Sequence, residues 1–218
     1  MNINRMMIKR IIMSFVGVII LAFSVALFKL ASFGVDPFQT FVGGLDKVIP
    51  ISFGTLYMIV NVVLLVFALV FDKHYVGLAT FINLFLLGYL IELFLYILNV
   101  IIPNPSIIIR LIVLLIALFI ICFGSSLYIT ADLGVSTYDS IALIISNTFK
   151  KGSFKTIRVI SDTICVILGF TLFIISKVSF KEIMMTIGIG TIITAFFMGP
   201  LIDYFNKRFS EPLLNKDV

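Results

Sequence analysis

The sequence has no tryptophan, a single histidine, two cysteines and very little charge, with aspartate, glutamate, lysine and arginine making up 12% of its 218 residues. Each shortage excludes something. A soluble domain is about a quarter charged, and so few ionic side chains cannot cover an interior that is 61% hydrophobic. At a mean hydropathy of +1.22, lipid is the solvent for most of the chain. His74, in "FDKHY", has no ligand cluster around it and reads as a surface or interfacial residue. Cys122 and Cys165 lie inside apolar runs without a partner in a loop, which argues against a disulfide and for buried thiols. G-x-S-x-G, H-E-x-x-H and P-loop motifs are missing too, so no enzyme chemistry, metal or cofactor is expected. The net charge of +5 sits at the edges of apolar runs, the pattern of membrane topology and not of nucleic-acid binding.

What the sequence does have is long apolar runs. A spanning helix needs about 20 mostly apolar residues, and six runs qualify: Ile11–Ala31, Ser52–Phe71, Tyr75–Leu98, Ile107–Thr130, Ile157–Ser176 and Phe180–Phe205. The first follows the basic "MNINRMMIKR" and is longer than a secretory core of about 7–15 residues, so it reads as a retained helix. Two further stretches, Asp36–Pro50 and Ser136–Lys151, are apolar but too short to span. Both open with helix-start chemistry. In "GVDPFQT", Asp36 is a candidate N-cap and Pro37 the first helical residue. In "GVSTYDS", Ser136 is the candidate N-cap, with Asp139 three residues on as in a capping box. Gly34 and Gly134 give the preceding helices freedom to stop sharply.

The punctuation is repeated. "ASFGVDPFQT" from Ala31 matches "ADLGVSTYDS" from Ala131; "SFGTLYMIVN" from Ser52 matches "SFKTIRVISD" from Ser153. After an insertion of about ten residues in the second copy, "TFINLFLLGYLIELF" from Thr80 matches "TIITAFFMGPLIDYF" from Thr191. The expected fold is an all-α polytopic membrane helix bundle: one domain over residues 1–218, about six spanning helices plus two half-helices, with repeat A over 11–98, repeat B over 107–206 and a cytoplasmic tail over 207–218.

Three spanning helices per copy make the repeats inverted, provided the half-helices do not cross. With the N-terminus inside, the inner side collects Arg5, Lys9, Arg10, Lys73, Lys150, Lys151, Lys155, Arg158, Lys207, Arg208 and Lys216, and the outer side only Lys47, Arg110, Lys177 and Lys181. The positive-inside rule favours that orientation, with both termini cytoplasmic, "GVDPFQT" outward and "GVSTYDS" inward.

Polar residues within the membrane are costly and are functional candidates by default. Lys29, before Asp36, either pairs with a carboxylate or anionic ligand or snorkels to the interface. Arg158 and Asp162 are four apart on one helix and can pair. Asp162 and its repeat partner Asn61 line either a cavity or a polar helix contact. Gln39, Asp132 and Asp139 lie at or beside the half-helix starts; capping is the plain role for Asp139, and Asp36, Gln39 and Asp139 join Lys29, Asn61, Arg158 and Asp162 as candidates to line a cavity for solute or ion. Glu92 matches Asp203, which reads as a solvated helix end; Thr80, Thr191, Asn83 and Thr194 read as helix-packing polar groups. "GIGTIITAFFMG" from Gly188 reads as part of a spanning helix whose glycines permit close contact.

"GVDPF", "SFGTLYMIVN" and "TFINLFLLGYLIELF" together resemble the YitT/YczE-type bacterial membrane proteins over nearly the whole chain. The ending "NKRFSEPLLNKDV" is more similar to the YczE/YyaS branch than to YitT proteins with a soluble C-terminal domain. The resemblance implies a multi-pass protein of the bacterial plasma membrane and supplies no catalytic residues. The favoured function is a secondary transporter or permease for an unidentified small solute, from the inverted-repeat plan with broken helices. The alternatives are a non-transporting regulator or assembly partner of an envelope or biosynthetic system, and a substrate-capture subunit of a larger importer. Expected partners are the lipid bilayer and the solute, with a homodimer or protein partner left open.

Overall fold

A computed structural model describes residues 3–51 and 53–215. Ser52 and Lys216, used above for the repeat and the charge pattern, lie outside the described residues, as do the side chain of Lys181 and the outermost ends of the expected domain and tail. Every regular element among the described residues is helical. The elements are α1 (Ile3–Ala31), α2 (Pro37–Val48), α3 (Phe53–Phe71), α4 (Leu78–Ile101), α5 (Ile107–Ala131), α6 (Thr137–Leu143), α7 (Phe154–Ile175), α8 (Phe180–Thr186), α9 (Ile189–Phe205) and α10 (Glu211–Asn215). A π-helical turn, Ile144–Thr148, continues α6, and another, Asn206–Ser210, joins α9 to α10.

Five helical stretches are long and apolar enough to cross a membrane: Arg5–Ala31, Leu78–Ile101, Ile107–Ala131, Phe154–Ile175 and Glu182–Asn215. The sixth expected span, α3, has 19 residues; at 1.5 Å per residue it is about 28 Å long, close to the hydrocarbon thickness of about 30 Å.

The core is the antiparallel crossing of α1 and α5. Gly17 lies on the backbone of Gly124 and Tyr128, so close that a Cβ there would meet Gly124 O at 2.9 Å. Seven residues along, Ser24 Oγ donates to Ala117 O at 2.6 Å. The repeat alignment pairs Gly17 with Ala117 and Ser24 with Gly124, so these are one contact made twice. Small residues bring the two backbones together, as is common where helices pack in lipid.

The two loops that leave this core are built alike. Ser32 and Asp132 both take the left-handed conformation (φ 54° and 57°), and Gly34 and Gly134 follow at φ 114° and 93°. Each loop is closed by the opposite half. Val135 N–H donates to Tyr75 O at 2.9 Å, and Val35 N–H to Thr186 O at 3.1 Å. Ala79 N–H donates to Leu133 O at 2.9 Å, and Gly190 N–H to Phe33 O at 2.8 Å. Thr80 Oγ1 donates to Val135 O, and Thr191 Oγ1 to Val35 O, both at 2.7 Å. A Cβ on Gly34 would collide with Thr191 Oγ1, and one on Gly134 with Gly77 N and Thr80 Oγ1. These glycines are therefore set by both backbone angle and space.

The same closure corrects the expected helix Phe180–Phe205. It breaks into α8 and α9 at Ile187 and Gly188, and Gly188 is the N-cap of α9 rather than a mid-helix residue. A Cβ at Gly188 would overlap Phe33 O, so the break is where the Phe33 loop enters. The expected tail is also more ordered than a free segment. Leu214 packs with Met13, Leu127 and Ala131, and Ser126 Oγ and Ser210 Oγ are 2.5 Å apart.

The half-helices start inside the bundle. Phe38 and Tyr138, matched positions of the repeat, stack on each other with centroids 4.9 Å apart. From there α2 runs along α7, with Gly44 against Gly169, to Lys47, which pairs with Glu182 at 2.6 Å. The α6 segment runs along α3 to Thr148, whose hydroxyl donates to Asp72 at 2.6 Å. "GVDPFQT" and "GVSTYDS" thus open from a shared interior. Both lie within, and the helices diverge from that point to opposite ends.

Candidate functional site

The site is built where α6 meets α7. Ser136 caps α6 by accepting from Asp139 N–H at 3.0 Å. The expected reciprocal bond from a capping box is replaced, because the Asp139 carboxylate turns inward. Its Oδ2 accepts from Ser136 Oγ at 2.7 Å, and its Oδ1 accepts from Arg158 Nη1. Arg158 also donates through Nε to Asp162 Oδ2 at 3.3 Å, the contact expected from the four-residue spacing. Its guanidinium lies 4.5 Å from the centroid of the Tyr138 ring and touches Met198 Sδ at 3.9 Å. Tyr138 Oη donates to Asp162 Oδ1 at 2.7 Å, with Cys165 Sγ 3.5 Å away as a second acceptor. Asp139, Arg158 and Asp162 are 4%, 5% and 0% exposed.

The first half adds an amide and a capping carboxylate beside this cluster. Asn61 Oδ1 accepts from Thr137 Oγ1 at 2.6 Å while its Nδ2 donates to Tyr57 O at 2.7 Å. Asp36 caps α2 through Gln39 N–H at 3.0 Å, with Pro37 at the first helical position. Asp36 and Gln39 line, with exposed Lys29, a crevice too tight to hold water. Thr137, Tyr138 and Met198 were not singled out from sequence. Tyr138 had one usable signal, its match to Phe38; the others become visible only through tertiary contact.

The remaining candidates fall elsewhere. Asp132 sits at the other end of α5 from Arg110, 3.3 Å from Arg10 Nη1 and 2.8 Å from His74 Nε2. It borders a cavity of about 410 Å³ whose wall includes Arg10, His74, Gly134, Val135, Asn147 and Leu214. Asp203 pairs with Lys207 at 2.9 Å. Thr194 Oγ1 bonds back to Gly190 O at 2.9 Å. Glu92 is exposed on the outer face of α4, between Tyr89 and Tyr96. Cys122 is buried, Cys165 half-buried, and both are free thiols. Among the described residues no group of His, Cys, Asp and Glu is placed to hold a metal ion.

The two half-helix ends carry electrostatics of opposite kind. The Thr148 hydroxyl, then the His74 N–H, holds the Asp72 carboxyl below its ordinary value. Glu182 holds the Lys47 ammonium above its own.

The fold and cluster define an all-α polytopic helix bundle with a buried ionic centre. The chain belongs to a family of unknown function, DUF6198, which matches residues 8–207. It is similar to the uncharacterized protein YyaS of Bacillus subtilis (strain 168), at 28% identity over 202 residues, 93% of this chain and 94% of that protein. No solved structure matches it.

Proposed function

We propose that this protein is a secondary permease for a small solute, built from two inverted repeats in the bacterial plasma membrane with both termini cytoplasmic. The observation that carries the reading is a matched pair of openings in unequal states. At one end, Ile129 and Val135 border a cavity of about 410 Å³. At the matched positions Lys29 and Val35 border a crevice that admits no water. Two equivalent gates, one open and one shut, on either side of a buried polar centre are what alternating access requires. The distribution of basic residues supports an open gate on the cytoplasmic side. The resemblance to the YczE/YyaS branch fits this placement, and the absence of catalytic motifs leaves transport ahead of enzyme chemistry.

The test is uptake by proteoliposomes of purified protein against a panel of amino acids, small organic acids, amines and sugars. Saturable uptake of at least one solute, reduced by Arg158→Gln, is the expected result. If none moves, the permease reading falls. A second reading, a non-transporting assembly partner, draws on Glu92. A carboxylate facing lipid costs about 3 kcal/mol at mid-membrane, and a partner helix supplying a donor would remove that cost. Co-purification that Glu92→Leu abolishes, with no uptake, favours the second reading.

A further inference from the structure

We propose that the Asp139–Arg158–Asp162 cluster is an exchangeable proton site, with the proton carried on Asp162 Oδ1. Its use as the coupling ion rests on the permease reading; the proton site itself does not.

The argument starts from a count of charge. One guanidinium serves two carboxylates, and all three groups are almost fully buried. With both acids ionised the three groups are left at −1 in an apolar interior, and the nearby Asp36 carboxylate adds no compensating charge. An uncompensated buried carboxylate is neutralised by taking up a proton, because desolvation disfavours the charged form. Among the described residues no neighbour acts as a second positive charge on the cluster. The groups whose fields reach Asp162 or Arg158 are Asp36 on the loop before α2, Cys122 on α5, Tyr138 and Asp139 on α6 and Cys165 on α7. From α9 the Met198 thioether touches the guanidinium. In the first half the positions matching Asp139, Arg158 and Asp162 are Gln39, Tyr57 and Asn61, all without a cation.

The hydrogen bonding fits a proton better than a metal ion. Each of the four carboxylate oxygens already faces a donor: Arg158 Nη1 and Ser136 Oγ for Asp139, Arg158 Nε and Tyr138 Oη for Asp162. A cation such as Na⁺ would compete with these donors for the carboxylate lone pairs. A proton needs only that one hydroxyl turn. When Asp162 Oδ1 gains a proton from water, its new O–H donates to Tyr138 Oη. Tyr138 then turns its own hydrogen to Cys165 Sγ, the second acceptor at 3.5 Å. Release reverses both turns and returns the proton to water. The cluster comes nearest to the cavity on its Asp139 side, where Ser136, bonded to Asp139, is the next residue after Val135 of the cavity wall.

The experiment is infrared difference spectroscopy of the purified full chain in lipid nanodiscs, titrated with acid and without any solute. A carboxylic-acid C=O band that grows on acidification, shifts in D₂O and is lost in Asp162→Asn is expected. That variant leaves a neutral Arg158–Asp139 pair. Should it fail to fold, Tyr138→Phe decides: removing the hydroxyl partner must move the band. A band that survives Asp162→Asn, or is unmoved by Tyr138→Phe, overturns the site. So does the lack of any titrating band together with sodium-dependent thermal stabilisation. The outcomes for transport are separable. A band without uptake of any solute removes the permease reading and keeps the proton site. A band with uptake indifferent to a pH gradient keeps the permease and removes the coupling.

Discussion

The two halves of this protein share a backbone plan and differ in chemistry. Gly34 and Gly134, Val35 and Val135, Thr80 and Thr191 make the same turns and bonds. Yet Phe38, Gln39, Tyr57 and Asn61 of the first half face Tyr138, Asp139, Arg158 and Asp162 of the second. At these positions the first half supplies aromatic and amide surface, and the second supplies the ions. The half-helices diverge as well: α2 is regular over 12 residues, whereas α6 gives way to a π turn after 7. Such turns recur at functional sites. The contrast teaches that the symmetric positions carry the fold and the asymmetric ones carry the chemistry.

The largest expected effect breaks the asymmetric part. Arg158→Ala leaves two buried acids without their cation and should cost about 3–5 kcal/mol. The matched Tyr57→Phe removes one hydroxyl and should cost about 1 kcal/mol. Urea unfolding in detergent followed by circular dichroism measures both, and equal losses would erase the contrast. Next come the symmetric turns. Gly34→Ala and Gly134→Ala each force a side chain into a left-handed conformation against a packed cap, for about 1–3 kcal/mol apiece. Losses that differ by more than about 2 kcal/mol would break the equivalence of the halves. Smaller again, Thr80→Val and Thr191→Val should each cost about 1–2 kcal/mol by leaving a loop carbonyl unpaired. The double variant should show the sum, since distant sites act independently.

The smallest effect separates the two ends by pH. Lys47 is held above its ordinary value, so its contribution is complete below that value and is lost as pH rises through the raised one. Asp72 is held below its ordinary value, so its contribution is present above that value and is lost as pH falls through the lowered one. Acid therefore loosens the α6 end and alkali the α2 end, each by less than about 1 kcal/mol because these groups face solvent. Melting temperatures of Thr148→Val should converge on the unsubstituted protein in acid, and those of Lys47→Met in alkali.

What could be read from the sequence follows the range of the forces involved. The half-helix starts were legible because Asp36, Pro37 and Ser136 act on amides within three residues. Arg158 and Asp162 were legible because four residues return to the same helix face. The break at Gly188 was not, since its cause is Phe33, far away in the chain and close in space. The bond from Arg158 to Asp139 likewise crosses from one helix to another, so Asp139 looked like a cap. Positive-inside counting assigns a side to each "GV" turn but says nothing of its depth, which packing sets.

The swapped loop closures also bear on synthesis. The turn at Val35 leaves the ribosome early, but the hydroxyl that completes it, Thr191, lies 156 residues further along. Until that residue arrives the first turn holds an open carbonyl in an apolar setting. Closure over so long a separation makes the last step of folding the slow one. A nascent chain halted before α9 is therefore the form a membrane quality-control protease would find, and synonymous changes that slow translation there would lengthen its exposure.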